Sequence, residues 1–376
     1  MQAIQQRDVV IVGGGIAGAS LAANLAGWCS VTMIERETML AQHSTGRSAA
    51  AFLESYGSDA IRALTRASRH ELDRAPDDGE TPPLLTPRPL LWTAREDQLG
   101  ALARLLDAVP TLRRLDADEV LDAAHRMRPG YAAGGALEDD AADMDVLAIH
   151  GRFVRLARAA GVDIRVGSRL DVGERRGNRW VVRIDGGHMI EATVLVNAAG
   201  AWADEVATAC GVAPIGLRPL RRTIAIGRAS GTAVAAHDPL VSDIGEEFYF
   251  KPEGPNVLVS PADETPSEPC DARPDELDVA VALERVNAAT TYDIRSVVTT
   301  WSGLRTFAPD RNLVAGWAPG HEGFFWLAGQ GGYGIQTAPA LGRLAAALVC
   351  GEPLPADIVD EGLVLADIDP KRFGTG

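Results

Sequence analysis

Asp8-Val-Val-Ile-Val-Gly-Gly-Gly-Ile-Ala-Gly-Ala-Ser-Leu-Ala-Ala-Asn-Leu-Ala26 is a β-branched run, then glycines, then apolar residues at helical spacing. That order reads as strand, tight turn, helix. Ser30-Val-Thr-Met-Ile-Glu35 follows as a second β-rich run ending in a carboxylate, which completes a βαβ unit and implies parallel pairing. Gly13-x-Gly15-x-x-Gly18 falls between strand and helix, where small residues let a pyrophosphate meet the unpaired N–H groups of the helix N-terminus. Glu35 is placed to accept both hydroxyls of an adenosine ribose, and its charge would repel a 2′-phosphate, which disfavours NADP. A plain glycine turn with an exposed strand-end Glu is the simpler reading, and the βαβ context argues against it. The turn alone does not choose between FAD and NAD.

At 376 residues the chain is long enough for two structural units, each with its own core. Apolar residues form 46% and charged residues 23% of it, values of an ordinary globular protein and not of a disordered one. A net charge of -15 disfavours long-range attraction to nucleic acid or anionic lipid. All but two of the 36 basic residues are Arg, the exceptions being Lys251 and Lys371. Cys29, Cys210, Cys270 and Cys350 are far apart and form no C-x-x-C, so neither a zinc site nor a disulfide framework is expected. No charged stretch followed by an apolar run opens the chain, and no segment approaches the roughly 20 apolar residues that span a bilayer. A cytoplasmic protein without integral membrane contact is the expectation.

Further along, Pro76 to Arg88 shifts to Pro, Asp, Gly and Thr, a plausible domain crossing, before a strand-like run from Leu84 to Trp92. Glu96 to Arg128 carries Leu and Ala at helical spacing. Val146 to Ala160 repeats that pattern ahead of a strand at Val162–Val166. Trp180-Val-Val-Arg-Ile and Glu191 to Gly200 read as successive strands. Runs such as Thr223-Ile-Ala-Ile and Phe248-Tyr-Phe, broken by Pro- and Gly-rich turns between Leu217 and about Val298, suggest an antiparallel sheet. Phe324-Phe-Trp-Leu-Ala is a last strand, with a helix from about Thr337 to Cys350. Asp143 and Asp145 are expected to cap the helix after them and not to bind metal.

Three separated segments carry a family likeness. His43-Ser-Thr-Gly-Arg-Ser-Ala-Ala50, Leu195-Val-Asn-Ala-Ala-Gly200-Ala-Trp202 and Gly329-Gln-Gly-Gly-Tyr-Gly-Ile-Gln-Thr337 together resemble the D-amino acid oxidase-like flavoproteins, and most closely the bacterial D-arginine dehydrogenase group. The resemblance runs over nearly the whole chain and implies FAD. It implies an α/β fold, a Rossmann-type FAD-binding domain (1–82, 143–216 and 300–376) interrupted by an α+β substrate domain (83–142 and 217–299) on a mixed or antiparallel sheet. By the same likeness the cofactor would be held by Gly13, Gly15, Ile16, Ala17 and Gly18, by Glu35 and Arg36, and by His43, Ser44, Thr45, Gly46, Arg47, Ser48, Ala49 and Ala50. Ala199, Gly200 and Trp202 would join them. Gly331, Gly332, Tyr333, Gly334, Ile335 and Gln336 would lie against the flavin ring. A helix starting near Gly334 would aim its N-terminus at the flavin N1–C2=O locus, where charge collects on reduction. His43 is also a candidate for covalent flavin attachment or general base.

Substrate capture needs a cation for a carboxylate, and the planar fork of Arg holds both oxygens at once. Arg222 and Arg305 match by resemblance the positions that hold an amino acid carboxylate, with Tyr249, Tyr56 and Gly332 around the same pocket. Arg221 is either the surface partner of Arg222 or its replacement in that role. The arginine-oxidising members carry a Glu where this chain has Leu90, and polar residues where it has Ala51 and Leu53, so a neutral or apolar side chain is favoured. Glu54, Glu246 or Glu247 is an alternative source of the missing charge. The expected reaction is oxidation of a D-amino acid to the imino acid, then the 2-oxo acid and ammonia, by hydride transfer from Cα to flavin N5. Alternatives are a flavin dehydrogenase of a D-2-hydroxy acid or N-alkyl amino acid, or a non-catalytic FAD electron-transfer subunit. The electron acceptor, whether quinone, dye or oxygen, is left open; a quinone would imply peripheral contact with the inner membrane.

Overall fold

A computed structural model describes residues 5–74, 83–230 and 234–374. Most of the composition shift at 76–88 and the limit at 82/83 lie outside them.

The opening segment forms strand β1 (Gln5–Val12), helix α1 (Ile16–Leu25) and strand β2 (Val31–Ile34). β1 pairs in parallel with β2 on one side and with His188–Asn197 on the other, as the βαβ pattern requires. Asp163–Arg165 continues the sheet beyond β2 in parallel, and Phe324–Ala328 lies parallel to His188–Asn197. Antiparallel strands Leu170–Arg176, Arg179–Ile184 and Val314–Trp317 finish it, giving a mixed first sheet. The near-continuous burial of β2 and Phe324–Ala328 follows from cover on both faces. α1 packs against Val146–Ala159 and against Gly334–Cys350, which in turn packs on Asp59–Asp73. Pro339 sits inside Gly334–Cys350 and lacks an N–H; the next amide, Ala340 N–H, donates to the Ser68 hydroxyl at 3.1 Å.

The second sheet draws on two chain segments. Its order is Gln330–Gly331, Ser296–Phe307, Arg218–Arg228, Asn256–Ser260, Tyr249–Glu253, Leu240–Asp243, Leu90–Ala94, Gly134–Glu138 and Arg113–Asp116. Pairing is antiparallel except where Leu240–Asp243 runs parallel to Leu90–Ala94, so the sheet is mixed. Ser296–Phe307 pairs with Arg218–Arg228 along its length, so the expected limit between 299 and 300 falls inside a strand of this sheet. The twelve-residue strand is held by one long ladder, with a register shift at Ile226/Gly227, which a sequence scan does not reveal. Ala51–Phe52, Ala142–Met144 and Leu85–Pro87 make a small third sheet.

Three local expectations change. The helical pattern from Glu96 to Arg128 resolves into helix Leu99–Ala108, strand Arg113–Asp116 and helix Ala117–Ala123. Pro110 disfavours helix at the residue before it, and Asp116 with Glu119 starts a new helix as a reciprocal capping box. The last long helix begins at Gly334, where the family likeness put it, and not at the Thr337 read from the apolar pattern. Asp145 caps Val146–Ala159 by accepting from Ala148 N–H at 2.8 Å, but Asp143 does not cap. Its carboxylate instead pairs with the buried Lys251 ammonium at 2.6 Å and with Arg88, tying the third sheet to the second.

Candidate active site

Two adjoining cavities run along the C-terminal end of β1 and share Gly15, Ser44, Thr45, Ala198 and Gly200 as walls. An elongated ligand can therefore pass from one to the other. The first is walled by Gly13, Glu35, Arg36, His43, Ala199 and Trp202. Here the Glu35 carboxylate accepts from Gly14 N–H at 2.8 Å and Glu37 N–H at 2.9 Å, which fixes it beside the glycine turn. Thr45 Oγ accepts from Ile16 N–H at 3.1 Å, one of the donors freed at the start of α1. The Arg36 guanidinium lies 5.0 Å from the Trp202 ring centre, and the His43 ring 4.6 Å from it.

The second cavity is walled by Ile16, Ala17, Arg47, Ser48, Ala49, Ala50, Gly331, Gly332, Gly334, Ile335 and Gln336, and by Arg222, Arg305, Tyr249 and Tyr56. Gly18, Gly46 and Tyr333 stand outside both sets of walls. Gly18 matters for close approach: a Cβ there would overlap the Gly13 carbonyl oxygen, backbone that cannot yield. Gly18→Ala is expected to abolish retention of the bound dinucleotide while the rest of the fold forms. Absorbance of the purified variant checks this, and a normal cofactor content would refute the packing argument.

His43 donates or accepts at Nε2 with Glu37 at 3.1 Å, and its Nδ1 is buried without a partner. It faces the Glu35 cavity and not the one containing the arginines, so its geometry supports neither covalent attachment to a ring there nor a base role. Arg47, although on the wall, sends its guanidinium outward to Asp271 and to the Ala272 and Ser302 carbonyls. The Gln336 amide is used twice on Leu53, donating to its carbonyl and accepting from its N–H, both at 3.2 Å.

Arg305 donates Nη2 to the Tyr56 hydroxyl at 2.8 Å, and its Nη1 lies 3.3 Å from Glu264 Oε1. Burial works against its charge, but the oxygens of Tyr56 and Tyr333 outweigh that and hold the guanidinium firmly protonated. A Cβ at Gly332 would meet Arg305 Nε at 2.6 Å, so only glycine leaves the guanidinium its place. Arg222 donates Nε to the Asp263 carbonyl at 2.8 Å and lies 5.9 Å from the Tyr249 ring centre. Its Nη2 is buried and has no hydrogen-bond partner. Arg221 points elsewhere, donating to Asp278 at 2.8 Å, which leaves Arg222 as the cavity-facing one of the two.

Leu53, Ala51, Trp92 and Leu240 give the cavity an apolar side, with Glu246 the acid on its wall. Glu54 is paired with Arg69 and Glu247 with Arg95, whereas no hydrogen bond or ion pair holds the Glu246 carboxylate among the described residues. Leu90 is fully buried among Trp92, Ala94, Leu102 and Leu240 and does not reach the wall. Directly across the ladder from Leu90 stands Glu138, which sequence reasoning missed. Its buried carboxylate accepts from Glu54 N–H at 2.6 Å, Ser55 N–H at 3.2 Å and the Ser55 hydroxyl, fixing the turn that carries Tyr56. Burial pushes its carboxyl above the usual range. Among the described residues no group of three or more His, Cys, Asp or Glu is arranged to hold a metal, and no helix is long and apolar enough to cross a membrane.

A parallel βαβ unit with a glycine turn, a carboxylate at the next strand end and a second cavity with two inward arginines define a dinucleotide-dependent enzyme site. The model of the family "DAO: FAD dependent oxidoreductase" matches residues 8–348, and the chain belongs to that family. It is 29% identical over 98% of its length to the tRNA 5-methylaminomethyl-2-thiouridine biosynthesis bifunctional protein MnmC of Thiobacillus denitrificans, spanning 59% of that protein. With a glycine oxidase of Pseudomonas putida it shares 24% identity over 95% of this chain and 99% of that one. Among solved structures, glycine oxidase from Geobacillus kaustophilus superposes with a TM-score of 0.82 at 23% identity, covering 96% of this chain and 99% of that one. The protein is an FAD-dependent oxidoreductase of mixed α/β fold. The chain fits the cofactor: the Gly18 cradle excludes a side chain, Glu35 is fixed at the turn, and the two cavities are continuous.

Proposed function

We propose that this chain oxidises a small D-amino acid with a neutral or apolar side chain to its imino acid, which water then converts to the 2-oxo acid and ammonia. The observation that carries the reading is Arg222 and Arg305 facing one cavity, with Arg222 Nη2 buried and lacking a hydrogen-bond partner. Gly13, Gly15, Glu35, Ser44 and Thr45 would hold the nucleotide half of FAD, and Ser48 to Ala50 with Gly331 to Gln336 the flavin. When bound, FAD accepts the hydride that leaves the substrate Cα, and so supplies the redox chemistry. Arg222 and Arg305 hold the carboxylate from two directions, and the Tyr56 and Tyr249 hydroxyls complete its hydrogen bonds. That fixes the Cα–H by orientation, and no side-chain base is required when the amine arrives deprotonated. The first amides of Gly334–Cys350 place positive potential on the cavity wall, favouring charge that develops on the ring. We also infer that the first sheet belongs to the FAD-binding unit and the second to the substrate unit.

Leu53, Trp92 and Leu240 support the apolar side chain, and the motifs quoted above support the D-hand and the likeness to D-arginine dehydrogenases. The glycine oxidases among the relatives support an amino acid without setting its hand. One observation favours a second reading, a cationic side chain: Glu246 is the unpaired acid on the wall. The test is an anaerobic titration of the purified flavoprotein with glycine and with D- and L-forms of alanine, leucine, phenylalanine and arginine, following the oxidised flavin band. Bleaching by D-leucine or D-phenylalanine ahead of D-arginine is expected. A lead for D-arginine selects the Glu246 reading, and a flavin that stays oxidised throughout refutes amino acid oxidation.

A further inference from the structure

Glu264 occupies a place that substrate binding does not call for. Its Oε1 lies 2.8 Å from Arg311 Nη2, 3.3 Å from Arg305 Nη1 and 3.6 Å from Arg222 Nη2, and its Oε2 accepts from Arg311 Nη1 at 3.0 Å. One carboxylate oxygen thus stands among three guanidiniums. Two of these face the cavity, while Glu264 itself is off the wall and reaches them from behind. Its position is built. The next residues, Thr265–Pro266, pair with Leu220 and Arg221, and the Asp263 carboxylate accepts from Thr223 N–H at 2.6 Å and Oγ at 3.0 Å. Burial raises the Glu264 carboxyl, but the hydrogen bond from Arg311 and the charges of Arg305, Arg311 and Arg222 outweigh that and keep it ionised.

The remaining donors decide what else the cluster can take. Arg305 gives Nη1 to Glu264 and Nη2 to Tyr56, and Arg222 gives Nε to the Asp263 carbonyl. That leaves Arg305 its Nε–H and a second hydrogen on each Nη, beside the Nη groups of Arg222 and the Tyr249 and Tyr56 hydroxyls. Two of these guanidinium edges suffice for the two oxygens of a single carboxylate, and the charge of Glu264 bears on what else can join it. A second carboxylate would share the guanidiniums with Glu264 and would meet its negative charge at close range.

We propose that Glu264 is a specificity-determining residue, a carboxylate built into the back of the arginine pair that limits the site to substrates with one carboxylate and rejects diacids. The proposal rests on the reading of Arg222 and Arg305 as the substrate carboxylate clamp. It predicts that removing the Glu264 charge frees Arg305 Nη1 and part of Arg311 for a second anion.

The experiment titrates FAD-loaded wild-type protein and Glu264→Gln with propionate and with malonate, reading binding from the perturbed flavin spectrum and by calorimetry. Glutamine keeps the shape and one acceptor for Arg311. In the variant, malonate affinity relative to propionate should rise by about tenfold or more, as expected when one like charge is removed at close range. Glu264→Ala should move the ratio the same way. An unchanged ratio overturns the proposal, and so does parallel weakening of both ligands, the mark of a residue that merely orients the arginines. If neither variant retains flavin, Glu264 is structural and the proposal also fails. If wild-type protein binds neither anion, the clamp reading itself is wrong, a failure distinct from a bound but unshifted pair.

Discussion

Arg305→Met raises KM for the amino acid by about two to three orders of magnitude while leaving FAD bound, because one partner of a desolvated charge pair is lost. Methionine keeps an unbranched apolar stem of similar length against Phe307 and Gly332. Glu264 is not stranded by the change, since Arg311 still holds both of its oxygens. Tyr56 does lose the donor to its hydroxyl. Steady-state kinetics with a fixed acceptor, together with the flavin content of the purified variant, check the prediction. Loss of flavin would make Arg305 a structural residue, and an unchanged KM would remove it from substrate binding.

Asp143→Asn should destabilise the protein by about 3–5 kcal/mol, since the Lys251 ammonium, 4% exposed, would remain buried without its counter-charge. Arg88 would lose the same partner but keep the Ala236 and Asp238 carbonyls. Urea unfolding of wild type and variant measures the difference. Adding Lys251→Met to the Asn variant should restore most of the loss, because the unpaired charge goes with it. A single variant within about 0.5 kcal/mol of wild type would mean that Lys251 finds water or another acceptor.

The nucleotide end was open to reading from the chain because it is local. β-branched residues, glycines and Glu35 fall within one continuous stretch, and the register of β1 with β2 follows from it. Arg222 and Arg305 could not be singled out by composition in a chain whose basic residues are nearly all Arg; only the family likeness of their surroundings marked them. Glu138 was invisible because its partners, Glu54 and Ser55, lie more than eighty residues away, in a turn that donates to its carboxylate. Glu264 was hidden by its Pro- and Asp-rich surroundings, which look like an exposed loop until Thr265–Pro266 pairs with Leu220 and Arg221. Non-local pairing, and not weak propensity, separates what could be read from what could not.

The stretch from Gly329 to Gln336 belongs to both layers. Gln330 and Gly331 pair with Phe307 and Thr306 at the edge of the second sheet, and Gly334 begins the helix packed on the first. It acts as an axle through the molecule, so an inserted or deleted residue there would shift both sheets at once. Trp92, Leu240 and Glu246 hang on the second sheet and its turns alone. The chain can therefore be retuned for a different side chain at those positions without touching the machinery that grips the nucleotide.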